Sequence, residues 1–291
     1  MKKTLLFGLM AALAVVSCQK AEKESNASSD KVFTATTEAY ITDDVETKTS
    51  MDADGNVLWK KGDQVSIFNG STINEHFQVT DESDGKTSAT MYQVTSPGFV
   101  AGGEIPVNVA FYPYGATVGI AKRSGAYVID DIALPATQTY AAGSFANGAF
   151  PMAAMTESVQ DTKFEFKNVL GGLKLQLKGT ASIASISVTG NNNEKLCGTA
   201  EVTVYGGEEA PAISLKDASA KTVTLNCGGV QLDAANATAF IIALPPMTMT
   251  GGFTVVVTDT DGASMEIKTT KSQTITRSSI LKMPAKTYVG E

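Results

Sequence analysis

The chemistry open to this 291-residue chain is narrowed by its census: one histidine, His76, and three cysteines, Cys18, Cys197 and Cys227. A Ser-His-Asp triad would have to use His76, and there is no G-x-S-x-G turn to expose a nucleophilic serine. A single histidine gives too few ligands for a zinc site. Beside Glu75, His76 reads as a surface or satisfied strand residue rather than a general base. Asp52-Ala53-Asp54-Gly55 and Asp259-Thr260-Asp261-Gly262 begin like calcium loops. Both lack the third acidic ligand and the terminal glutamate of the full motif, so they read as turns between strands. The Gly-Gly pairs at 102–103, 171–172, 206–207, 228–229 and 251–252 open no strand-to-helix phosphate loop and read as turns and bulges. Any two strands can bring carboxylates together for glycoside hydrolysis, but nothing singles out a pair. The expectation is a chain that is not an enzyme, with no catalytic residue, cofactor or metal.

The three thiols divide by position. Cys18 closes a string that begins Met1-Lys2-Lys3-Thr4, runs apolar from Leu5 to Val16 and ends Val16-Ser17-Cys18. Two lysines, a short apolar run and a small residue before the cut make residues 1–17 a secretory signal. The run is shorter than the roughly 20 apolar residues of a membrane-spanning helix. With a cysteine at the cut, the segment resembles a bacterial lipobox. There the thiol takes an acyl chain such as palmitate and becomes the mature N-terminus. Residues 18–30 then form a lipidated tether, because QKAEKESNASSD has too little apolar surface to fold. Its Gln19–Glu24 run resembles the signal that sends Bacteroidetes lipoproteins to the outer face of the outer membrane. Cys197 and Cys227 remain. In an oxidising envelope they could be bridged, which would stabilise by about 3 kcal/mol, or they could be two separate small core residues.

The rest of the chain reads as strands. Leu173, Leu175 and Leu177 alternate with Lys174, Gln176 and Lys178, and Phe253, Val255 and Val257 share one face. Phe164 and Phe166, Ile186 and Val188, and Met265 and Ile267 repeat the period of two. That is the pleat of half-buried antiparallel strands, and their spacing between Gly, Asn and Asp clusters predicts all-β sandwiches. Trp59, preceded by Val57 and Leu58, reads as core in preference to a sugar-stacking platform. The Ala-, Gly- and Pro-rich stretch from Leu134 to Met155 suggests a boundary, giving domains at 31–160 and 161–291. A net charge of −7 excludes nucleic acid as a partner, since phosphate neutralisation needs a basic patch.

Several short blocks occur in a fixed order. They are Thr47-Lys48-Thr49-Ser50; Asp54-Gly55-Asn56-Val57-Leu58-Trp59; and Gly62-Asp63-Gln64-Val65-Ser66-Ile67-Phe68. Leu134-Pro135 with Gln138, Gly143-Ser144-Phe145 and Pro151-Met152 follow, then Phe166-Lys167-Asn168 and Gly171-Gly172-Leu173. Leu244-Pro245-Pro246, Gly251-Gly252-Phe253 and Arg277-Ser278 complete the set. In this order, behind a lipobox, the chain resembles the fimbrillin-like lipoproteins of Bacteroidetes, which include subunits of type V pili. The resemblance implies two tandem transthyretin-like antiparallel β-sandwich domains. It also implies a structural or adhesive pilus subunit assembled by β-strand addition. In that scheme a lipidated precursor reaches the surface, a protease removes the first strand, and the groove accepts a strand from another subunit. The leaving strand would be Lys31 to Ile41. Processing in the family follows an arginine, whereas this chain has none before Arg123, so Lys48 is the candidate cleavage position. Implied partners are the outer membrane through the lipid, other pilus subunits, and a host or glycan ligand. The alternative is a surface lipoprotein that keeps its first strand and binds glycan or host protein without polymerising.

Overall fold

Period-two alternation becomes strands throughout the residues that the computed structural model describes: 31–41, 55–95, 102–146, 148–216 and 220–291. Cys18, its tether and Lys48 lie outside the described residues. The strands in the first half are β1 (Phe33–Thr37), β2 (Gln64–Ser71), β3 (Glu75–Val79), β4 (Ser88–Thr95), β5 (Glu104–Tyr112) and β6 (Gly119–Arg123). They continue as β7 (Ala126–Leu134), β8 (Thr137–Ala141), β9 (Ser144–Phe145), β10 (Met152–Met155) and β11 (Lys163–Asn168). Next come β12 (Gly171–Lys178), β13 (Ser182–Gly190), β14 (Gly198–Val204), β15 (Ala212–Leu215), β16 (Thr222–Gln231) and β17 (Thr238–Leu244). The chain ends with β18 (Met247–Met249), β19 (Phe253–Asp259), β20 (Ser264–Lys268), β21 (Gln273–Ile275), β22 (Ile280–Lys282) and β23 (Lys286–Thr287). The only helical turn among the described residues is a single 3-10 turn at Asp81–Ser83, so the protein is all-β.

The first sheet closes on itself. Its order is β1-β11-β10-β5-β2-β3-β4, and β4 pairs back onto β1. Closure removes both edges, so this sheet is a seven-stranded barrel. Its interior holds Phe33, Trp59, Val65, Ile67, Phe77, Met91, Tyr112, Phe164 and Phe166, all nearly or fully buried. Trp59 stands edge-on to Tyr112 and Phe166, at 5.4 and 5.3 Å between ring centroids. The remaining strands form sheets β17-β12-β22, β20-β19-β13-β16-β8-β9, β15-β14-β7-β6 and β18-β21, with β23 added to β12.

Strand β5 shows how the layers join. Ala110 and Tyr112 face the barrel interior, while Val107, Val109 and Phe111 face a second core built largely from later strands. A strand buried on both faces loses the polar half of its alternation, and β5 reads as an almost continuous apolar run. Pairings run across residue 160 in both directions. β11 lies in the barrel between β1 and β10, whereas β7 pairs with β14 and β8 with β16.

Candidate assembly site at the first strand

β1 sits where the expected leaving strand was placed, inside the segment Lys31 to Ile41. Alternation of Phe33 and Ala35 with Thr34 and Thr36 sends two side chains inward and two outward. β1 runs antiparallel to β4, with Phe33 opposite Met91 and Ala35 opposite Ala89. On its other side it runs parallel to β11, with Ala35 opposite Phe164 and Thr37 opposite Phe166. Phe33 is fully buried, edge-on to Phe77 at 5.3 Å and stacked on Phe164 at 5.1 Å. Outside, a groove of about 440 Å³ follows β1 between β4 and β11, lined by Thr34, Thr36, Ser88, Ala89, Lys163 and Phe164 among others.

Beyond β1 the chain is held by a polar node drawn from three distant segments. Arg277 Nη1 and Nη2 donate to Glu38 Oε2 and Oε1 at 2.5 and 2.9 Å. The Asn168 backbone N–H donates to Glu38 Oε2 at 2.8 Å, and Arg277 Nη1 also donates to the Asn168 carbonyl at 2.8 Å. Asn168 Nδ2 donates to Ser278 Oγ at 2.8 Å, and that hydroxyl donates to the Ala39 carbonyl at 3.0 Å. Burial opposes the charge on Glu38. The hydrogen bonds from Arg277 and Asn168, with the nearby Arg277 and Lys167 charges, outweigh it and hold the carboxyl below its ordinary value. Bidentate guanidinium–carboxylate pairing fixes direction as well as energy, so the end of β1 is locked in one register. Backbone bonds extend the node: Ile41 N–H donates to the Ser278 carbonyl and Ile280 N–H to the Ile41 carbonyl.

Gly171 makes this approach sterically feasible. A Cβ there would lie 2.3 Å from the Thr276 carbonyl oxygen, so only glycine lets the start of β12 pass beneath the Arg277 segment. The C-terminal string Ile280 to Val289 lies along β12 as β22 and β23, parallel to it. Pro284 falls in the gap between them, where no ladder N–H is required. Pairing with β12 therefore occurs on both sides of the proline.

The other sequence candidates fall elsewhere. His76 stacks on Tyr114 at 4.0 Å between ring centroids, and burial pushes its imidazole below the ordinary value. Asp259 Oδ1 accepts from the N–H groups of Asp261 and Ala263, closing a turn between β19 and β20. No group of three or more His, Cys, Asp or Glu that could hold a metal occurs among the described residues. Cys197 and Cys227 are free, buried thiols. The Cys197 Sγ lies 3.2 Å from the Thr222 carbonyl at the start of β16, and Cys227 stands farther along that strand. Five residues of strand span about 16 Å, well beyond the roughly 7 Å between Cα atoms that a disulfide tolerates. Burial pushes the Cys227 thiol up to about 12.

The node was not legible from spacing. Arg277-Ser278 appears among the ordered blocks without a role, and Glu38 is simply the charged residue after an alternating run. Only the chain path brings them together.

No family model matches the chain, and no curated protein matches it. Solved structures do align with it. One, assigned to cell adhesion, from Bacteroides uniformis, is 16% identical and aligns over 89% of this chain and 94% of its own, with a TM-score of 0.49. A second, likewise assigned to cell adhesion, from Bacteroides ovatus, is 14% identical over 84% and 89%, with a TM-score of 0.48. The tip fimbrial protein Mfa3 from Porphyromonas gingivalis, truncated at its C-terminus, is 8% identical over 81% of each chain, with a TM-score of 0.25. Over at least 81% of its length the chain is similar to these cell adhesion and fimbrial proteins.

Proposed function

We propose that this chain is a fimbrillin-like, non-enzymatic subunit of a cell-surface fimbrium, anchored in the outer membrane by lipid at Cys18. It assembles with other pilus subunits by β-strand addition. The observation that supports this most is the placement of β1. It fills a slot between β4 and β11, and its neighbours on both sides would present unpaired backbone if it left. A cut at Lys48 would free the downstream end of that segment. A replacement strand would have to supply an aromatic residue at the Phe33 position, a small one at Ala35, and a carboxylate at Glu38 to meet Arg277. The C-terminal string is the candidate donor. It is an edge strand on β12, so donating it means leaving that edge.

The proposal keeps two modules, residues 31–160 and 161–291, of the two-layer transthyretin-like kind that the ordered blocks imply. β7, β8 and β11 cross between them. The second reading is a surface lipoprotein that retains β1 and binds a host protein or glycan as a monomer. It is favoured by the closed barrel, which offers no free edge while β1 is in place.

A trypsin-like protease added to the surface-extracted protein separates the two. Ladders of SDS-resistant oligomers that appear with loss of the segment ahead of the cut support assembly by strand addition. A cut chain that stays monomeric supports the binding lipoprotein. Ladders that persist when the chain is truncated after Arg277 rule out the C-terminal string as donor.

A further inference from the structure

At the entry to β1, an amine, a carboxamide and a carboxyl from three separate segments of the barrel meet. Lys31 lies just ahead of β1, Asn69 is on β2, and Glu75 opens β3. Lys31 Nζ donates to Asn69 Oδ1 at 2.8 Å, which holds the amine against the carboxamide carbon. A second hydrogen bond, to the Val159 carbonyl at 2.6 Å, and the Phe33 ring at 5.1 Å fix its position. The Asn69 side chain also hydrogen-bonds Glu75, whose Oε2 accepts from Gln93 Nε2 at 3.0 Å. All three side chains are partly buried.

We propose that Lys31 and Asn69 become joined by an intramolecular isopeptide bond, with Glu75 as the acid–base group. The neutral amine attacks Asn69 Cγ, forming the C–N bond as the carbonyl electron pair moves onto Oδ1. Glu75 gives a proton to Nδ2 and recovers one from Nζ, so it ends as it began. The carbonyl re-forms, the Cγ–Nδ2 bond breaks, and ammonia leaves. One amine and one carboxamide become one secondary amide and one ammonia, with nothing oxidised or reduced. The three groups are already oriented, and that supplies most of what such a step needs. Burial lowers the Lys31 amine against the pull of Glu75, and raises the Glu75 carboxyl against the Asn69 hydrogen bond and the Lys31 charge. Both directions favour the neutral amine and the protonated acid.

The bond would staple the entry of β1 to β2. A stapled chain would keep residues 31–41 in the barrel even after a cut at Lys48. A molecule that carries the bond therefore cannot release β1 for strand addition, which favours the reading in which the first strand is retained, and a full, unmodified mass leaves the assembly reading standing.

Asn69 is followed by Gly70, so a competing reaction must be separated. Attack by the Gly70 backbone nitrogen on Asn69 Cγ would close a ring and lose the same ammonia. The test is the denatured intact mass of the purified protein, followed by peptide mapping. The expected result is a mass lower by about 17 Da, one ammonia, and a branched peptide joining Lys31 to Asn69. The Lys31→Arg and Glu75→Gln proteins should keep the full mass. An unmodified mass in the wild-type protein overturns the proposal, and that measurement depends on no variant's folding. A loss that persists in Lys31→Arg assigns it to ring closure at Asn69-Gly70 and also overturns it. A bond that still forms in Glu75→Gln overturns the role given to that carboxyl.

Discussion

Glu38 carries the largest share of the polar organisation around β1, and its energetics have a definite sign. Burial works against its charge, but Arg277 and Asn168 more than compensate, so its folded-state pKa lies below the unfolded value. A carboxyl shifted this way stabilises above its unfolded value, about 4.3, and loses that contribution as the pH falls through the lower folded value. Glu38→Gln keeps the shape and removes the charge, leaving Arg277 partly buried without its carboxylate. Urea unfolding at pH 7 should show a loss of about 1–3 kcal/mol relative to wild type. The gap should narrow below pH 4, as the wild-type carboxyl also becomes neutral. A gap of constant size from pH 7 to pH 3 would remove the charge from the explanation. The buried thiols belong to the same scale. Cys197 and Cys227 each approach a backbone carbonyl, which suits small core residues, and no bond between them adds to stability.

At the scale of the element, β1 is short, and only two of its side chains point inward. Its hold on the barrel comes from one ring and two ladders. Phe33 is the ring, packed between Phe77 and Phe164. Phe33→Ala removes most of the apolar surface β1 buries and leaves a cavity among aromatic neighbours that cannot collapse to fill it. The expected cost is about 3–5 kcal/mol by denaturant unfolding. Hydrogen exchange at the amides β1 shares with β4 and β11 should quicken more than at β12 and β17, because local opening follows local packing. Equal quickening in both places would mean that β1 opens only with the whole molecule. The hold on β1 also bears on any strand replacement. A donor without a large ring at the Phe33 register should compete poorly with the resident strand.

For the whole molecule, the crossing strands matter most. β7 and β8 precede residue 160, yet they cover β14 and β16, while β11 follows it and completes the barrel. A protein of residues 161–291 alone would leave the β14 and β16 edges unpaired and the apolar faces that β7 buries exposed. It should aggregate or lack a cooperative transition, and co-expression with residues 31–160 should restore a soluble, cooperatively unfolding complex. A soluble fragment with a sharp transition of its own would show that the crossing strands are dispensable. The same crossing explains why the second core draws on residues from Tyr40 to Tyr288.

The sequence by itself determined the class of the fold and the identity of most inward-facing residues. Leu173, Leu175 and Leu177, Phe164 and Phe166, Ile186 and Val188, and Phe253, Val255 and Val257 are all buried as their alternation requires. Side-chain direction in a strand has a period of two, so a local pattern suffices to read it. Trp59 was legible as core from the apolar pair Val57-Leu58 ahead of it, and it is buried. Where alternation is absent, as in β5, the sequence shows an apolar run but not the two layers that bury it. Tertiary structure alone decided which strands pair, that the first sheet closes into a barrel, and that strands cross residue 160. It alone brought Glu38 to Arg277 and Lys31 to Asn69 and Glu75. Strand partners are chosen by packing summed over many residues distant in sequence, and no local spacing encodes that sum.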